Sequence, residues 1–162
     1  MPEPIRLTVI KKLCSEIEQR ADLSGSVFRG RSYFGPSMGG PSKMVSVFED
    51  GAHAEDYPQQ TGDGRANVVR LPLILMGYDV EGIEHPTDPA MIMMHDVLAA
   101  LRGVKRDGAP DGNRSRNYLG MGRIVDDIKI GNGHVYPAFA NENTSVAFFL
   151  VPVTVTYVDL AA

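Results

Sequence analysis

The sequence predicts one α+β domain: a mixed or antiparallel sheet of about four to six strands, two helices packed on one face, and long surface loops. Three observations predict it. Pro4 to about Arg20 and Asp88 to Gly103 carry apolar residues at helical spacing, whereas Asn67 to Tyr78 and Val146 to Val158 alternate as strands do. The 17 Gly and 11 Pro cluster between these apolar runs, which makes sizeable loops of the intervening stretches. The third is size: 162 residues suit a single domain, and neither a compositional break nor an internal repeat divides them.

In the first helix Val9, Ile10, Leu13, Cys14 and Ile17 fall on one face and Thr8, Lys12, Ser15 and Gln19 on the other, at about 100° per residue. Pro4 suits the first turn, and Cys14 on the buried edge reads as a small core residue. A turn at Asp22 to Gly25 leads to a short strand, Ser26 to Arg29. The glycine- and proline-rich stretch Gly30 to Pro41 follows, and then a second strand through Met44, Val45, Val47 and Phe48. Gly51 to Ala66 is polar, with Gly62-Asp63-Gly64 as a turn signal.

The strand from Asn67 places Val69, Leu71, Leu73 and Leu75 on one face; Val68, Pro72, Ile74 and Met76 make the other face apolar as well. The second helix is announced by Asp88 as N-cap and Pro89 at the first helical position, and Gly103 ends it. Its expected core face is Ala90, Met91, Met94, Val97, Leu98 and Leu101. The back carries Ile92, Met93, Ala99 and Ala100, with Asp96, His95 and Arg102 the only polar company. So few charges imply that this side is covered, a second subunit being one candidate.

After a hydrophilic loop from Lys105 to Tyr118, a strand from Gly122 to Ile130 reaches Gly131-Asn132-Gly133. That turn signal predicts a hairpin with His134 to Phe139 as the return strand. Asn141 to Thr144 turns into the closing strand, where Phe149, Val151, Val153, Val155 and Tyr157 form the core face. Phe148 and Leu150, on the other side, are too apolar for free solvent. Pro72 and Pro152 each interrupt a strand, and proline cannot donate to a ladder. Each strand is therefore at a sheet edge, or its proline faces a gap or bulge.

Composition narrows the function. A net charge of −4 lacks the basic excess that phosphate neutralisation demands, which argues against reading of DNA or RNA sequence. A single cysteine excludes an intramolecular disulfide and a multi-cysteine zinc site. The first residues have no secretory pattern, and no apolar run reaches the roughly 18 residues a membrane helix needs, so a soluble, cytosolically made protein is expected.

Motifs for catalysis are weak. GPSMGGPSK at 35–43 superficially resembles a phosphate-binding loop, but Pro41 and Ser42 separate the glycines from the lysine and a strand follows. His53, His85, His95 and His134 show no metal-ligand spacing, and no nucleophile-elbow pattern occurs. Asp126 and Asp127 point to opposite sides of their strand and cannot act jointly. The expectation is therefore no catalytic residue, no metal and no cofactor, with a small hydrolase using His95, Asp96 and His134 kept as the competing enzyme reading. Arg29, Arg31, Arg102, Arg114 and Arg116 lie in or beside loops; they serve solubility or pair with an acidic neighbouring surface.

The opening helix IRLTVIKKLCSEIEQ, the strand RLPLILMGYD, the helix HPTDPAMIMMHDVLAALRG and the closing VPVTVTYVD together resemble the tail terminator, or tail-completion, proteins of long-tailed bacteriophages. The resemblance implies a structural virion protein, assembled in the host cytoplasm and placed at the tube–neck junction. It would form a ring, typically a hexamer, that caps the tail-tube protein, stops its polymerisation and meets the head–tail connector or neck. DNA would pass through the lumen unread, and neither a membrane nor catalysis would be involved. A different neck or head-closure protein would use a similar scaffold. The interface residues expected on this reading are Ile92, Met93, Ala99, Ala100, Arg102, Phe148, Leu150, Arg29, Arg31, Arg114 and Arg116.

Overall fold

The computed structural model describes residues 3–31, 41–51, 60–61, 67–81, 84–137 and 146–159. Most of the glycine-rich stretch 30–41, the Gly62-Asp63-Gly64 turn, His53 and the turn at Asn141 to Thr144 lie outside the described residues. The elements run α1 (Ile5–Arg20), β1 (Val27–Arg29), β2 (Lys43–Glu49), β3 (Gln60–Thr61), β4 (Asn67–Asp79), α2 (Thr87–Gly108), a 3-10 turn (Tyr118–Gly120), β5 (Val125–Ile130), β6 (His134–Tyr136) and β7 (Phe148–Asp159).

They form one mixed sheet in the order β1-β2-β4-β7-β5, with β3 added to β4 and β6 added to β7. Only β1 and β2 run parallel; every other pair is antiparallel. The predicted α+β class, with two helices on one face, is the observed one. The sheet exceeds the expectation by the short strand β3, while β6 falls within the predicted return strand but ends at Tyr136.

The core lies between helices and sheet. Val9, Leu13 and Ile17 of α1 and Val97 and Leu101 of α2 are fully buried against Leu71, Leu73 and Leu75 of β4 and Phe149, Val151, Val153 and Val155 of β7. Strand alternation sends these residues to a common face, as the spacing predicts. The far face carries a smaller apolar cluster at one end of the sheet: Met44, Met76, Tyr78 and Phe148, with Phe28, Tyr136 and Leu150 packed against them. There Tyr78 Oη donates to the Pro41 carbonyl at 2.6 Å, so this buried hydroxyl is satisfied.

Both mid-strand prolines sit in central strands, at places where the ladder has stopped. The Pro72 carbonyl accepts from Asp50 N–H at 2.9 Å, so the side of Pro72 that lacks a donor faces β2 just beyond its last pair, Glu49 with Leu73. The Pro152 carbonyl accepts from Gly131 N–H at 2.8 Å, in the gap between the last pair of β5, Ile130 with Val153, and the first pair of β6, His134 with Leu150. The edge-strand alternative is thereby excluded.

Gly131-Asn132-Gly133 is accordingly not a hairpin. β5 and β6 continue in the same direction along β7, and the three residues step around Pro152, which cannot donate. A Cβ on Gly131 would stand 2.5 Å from the Pro152 ring, which explains glycine at that step.

Helix α2 also departs from expectation. It begins at Thr87 and runs through Gly103 to Gly108. The predicted stop assumed that a glycine so placed ends a helix. Here its missing side chain leaves room for Arg20 of α1, whose Nη1 would lie 2.7 Å from a Cβ at 103 and whose Nη2 pairs with Asp107 at 2.8 Å. No helix among the described residues is long and apolar enough to cross a membrane.

Candidate interaction surface on helix α2

The extra turn of α2 reassigns its faces. Ala90, Met93, Val97, Ala100, Leu101, Val104 and Gly108 are buried, a stripe at spacings of three and four. Met93 and Ala100 are 5% and 4% exposed and belong to the core, which corrects their assignment to an outer contact surface. Met91, expected in the core, is 53% exposed. A window ending at Gly103 omits Val104 and Gly108, the two positions that extend the true stripe and would have revealed the shift.

Ile92, His95, Ala99 and Arg102 follow one another at spacings of three and four and are all exposed, so they form the outer face of α2. Among the described residues the exposed large hydrophobics are Leu7, Met91 and Ile92, at 38%, 53% and 64%. Two of these three therefore stand together on the first turns of α2. Scattered single apolar residues need no explanation, but an adjacent pair with a polar surround does.

Two shallow depressions flank this pair. Asp88 and His95 complete one with Met91 and Ile92. The other runs from Ile92 and Asp96 toward Asp22, Lys43, Asp79 and Glu81, at the end of the sheet where β2 begins and β4 ends.

Phe148 is 9% exposed and stacks on Tyr136 with ring centroids 5.2 Å apart. Its partners lie within the chain, a correction to its placement on a subunit contact, and the far-face cluster it joins accounts for its apolar character. Leu150 is half-buried beside it.

The arginines do not gather. Arg29 is exposed at the end of β1. The Arg31 guanidinium lies 3.9 Å from the centroid of the Phe28 ring, and its backbone N–H and carbonyl both bond Ser46 Oγ. Arg114 Nη2 donates to the Ala109 carbonyl at 3.0 Å, while Arg116 Nη2 donates to the Arg123 carbonyl at 3.1 Å and pairs with Asp126 at 3.5 Å. These last two tie down their own loop next to β5, at the opposite sheet edge from β1. Arg29 at one sheet edge and Arg116 at the other therefore do not share one basic patch.

The titrating groups tell the same story of local roles. Burial pushes the Cys14 thiol up to about 11, which makes it a poor nucleophile. Hydrogen bonds from Arg20 and then Arg106 hold the Asp107 carboxyl below its ordinary range, and Lys11 does the same for Glu3. Asp126 and Asp127 bind different cations, Arg116 at 3.5 Å and Lys105 at 3.7 Å, so they do not act as a pair. Nor do His95, Asp96 and His134 converge. His95 and Asp96 line different depressions, and His134 is an exposed residue of β6 beside Tyr136. Among the described residues no group of three His, Cys, Asp or Glu is placed to hold a metal ion. The chain matches no family model and no curated protein.

Proposed function

We propose that the chain is a structural assembly protein of the tail-terminator kind, which associates with copies of itself into a ring, caps a tail tube and joins it to the neck. The observation that carries this reading is the uncovered apolar pair Met91 and Ile92, held outward on a helix whose opposite stripe is anchored in the core. An exposed apolar ridge on a rigid element is what a protein–protein contact uses. The α+β scaffold of two helices on one face of the sheet agrees with the resemblance of the four segments quoted above. The net charge of −4 suits a ring through which DNA passes without being gripped.

Native mass spectrometry over a concentration series, with negative-stain imaging of particles carrying a tagged copy, tests the proposal. A closed oligomer in solution, or one ring at the tube–neck junction, is the expected result. A strict monomer that is also absent from particles would defeat it. The competing hydrolase reading would need His95→Ala to abolish an activity without changing oligomeric state.

A further inference from the structure

The third exposed hydrophobic, Leu7, lies in a depression of its own. Leu7 and Ile10 of α1 line it over the end of β2 at Val47, Phe48 and Glu49, with Lys11 and Arg29 beside them; the Phe48 side chain itself packs with the far-face cluster. It opens where β1 stops at Arg29, opposite Val47, while β2 runs on through Phe48 and Glu49. Lys11 is engaged by Glu3 at 2.6 Å and Glu49 by Arg6 at 3.2 Å, whereas no ion pair occupies Arg29 among the described residues.

The surface around Met91 and Ile92 has the opposite character. Asp22, Asp79, Glu81, Asp88 and Asp96 surround it, Lys43 is the one cation lining it, and none of these five carboxylates has an ion-pair partner among the described residues. A protruding apolar pair with an acidic rim and an apolar hollow with a cationic rim thus occur on one chain. Together they account for all three exposed large hydrophobics among the described residues.

Their placement is equally specific. The hollow sits at the N-terminal end of α1 and the last residues of β2, and the ridge at the turn after α1 and the first residue of β2. Leu7 to Ala21 along a helix is about 20 Å at 1.5 Å per residue, and Lys43 to Glu49 along a strand is also about 20 Å. The two surfaces therefore lie at opposite ends of α1 and β2, about 20 Å apart. A contact between two different patches is heterologous, or head-to-tail, the kind that closes into a ring when the rotation between neighbours permits.

We infer that the Met91–Ile92 ridge of one copy seats in the hollow beside Leu7 and Ile10 of the next, with the acidic rim that includes Asp88 and Asp96 meeting Arg29. The inference rests on the reading of the chain as a self-assembling subunit and specifies its contact. Apolar burial supplies the affinity, and the charged rims set orientation and exclude ridge-to-ridge pairing, where acid would face acid.

The test uses two variants of the full chain, Ile92→Glu, which spoils the ridge, and Leu7→Glu, which spoils the hollow, with Arg29→Glu as a second hollow variant. Both altered apolar positions are exposed, and circular dichroism verifies that each variant is folded. Each alone should self-associate about tenfold or more weakly by sedimentation and native mass spectrometry. An equimolar mixture of Ile92→Glu and Leu7→Glu should yield a dimer and nothing larger, since each variant retains one sound surface. A folded Leu7→Glu and Arg29→Glu that both assemble like wild type, or a mixture that stays monomeric, would overturn the pairing while leaving a self-assembling wild type intact. A wild-type chain that never self-associates would remove both the pairing and the assembly reading.

Discussion

Cys14 lies in the buried stripe of α1 at 8% exposure, beside Val9, Leu13 and Ile17. Burial moves its thiol from about 9.0 to about 11. The folded value lies above the unfolded one, so the stability linked to this group is fully present below about pH 9 and drains away as pH rises toward 11. Because the thiolate is the reactive form, iodoacetamide at pH 8 should leave Cys14 intact in the native chain and label it once urea is added; rapid native labelling would contradict its burial. Gly77 is held by a different constraint. A Cβ there would stand 2.5 Å from the Phe149 ring and 3.1 Å from the Met44 carbonyl. Gly77→Ala must displace a fully buried aromatic ring, so a loss of about 1–3 kcal/mol is expected, read as a lower urea midpoint. The alternation that buries Cys14 and Phe149 is visible along the chain, but the contact of Gly77 with Phe149 depends on cross-strand register, which local spacing does not encode.

At the scale of elements, α2 shows how one misjudged boundary propagates. Its helical spacing, its Pro89 and its apolar bias were all legible, yet the expected end at Gly103 turned the assigned faces by about one residue. Ala99 and Ala100 make the difference measurable. Ala99 is exposed and Ala100 is 4% exposed, packed in the core. Ala99→Glu should therefore melt within a few degrees of wild type, whereas Ala100→Glu places an unpaired carboxylate in the core and should cost several kcal/mol or prevent folding. Equal melting temperatures for the two would refute the assigned stripe. The edge formed by β5 and β6 carries a similar lesson. A glycine-asparagine-glycine run between apolar segments suggests a hairpin, but the donor missing at Pro152 favours a gap in a continuing edge, and only the position of β7 brings that proline opposite Gly131.

For the molecule as a whole, a single cluster of buried residues joins both helices, β2, β4, β5 and β7. A core shared in this way should unfold cooperatively, so calorimetry on the dissociated chain is expected to show one transition with equal calorimetric and van't Hoff enthalpies. Two resolved transitions would divide the domain. Surface ion pairs such as Arg20 with Asp107 and Lys11 with Glu3 contribute little beside that core, because their groups stay in contact with water.

Much of the architecture was written in local order: the two amphipathic helices, the alternating strands β4 and β7 and the buried faces of α1, β4 and β7. Each follows from a periodicity of 3.6 or 2 that a short window reveals. Tertiary structure alone decided which residues of α2 face outward, that Phe148 is covered from within, that the prolines stand at gaps in the ladder, and that the arginines lie at opposite sheet edges. These outcomes depend on which strands become neighbours and in what register, and on how far a helix continues once its glycine finds a packing partner. Such contacts join residues far apart in sequence, and that is why local pattern predicted the elements better than the surfaces they present.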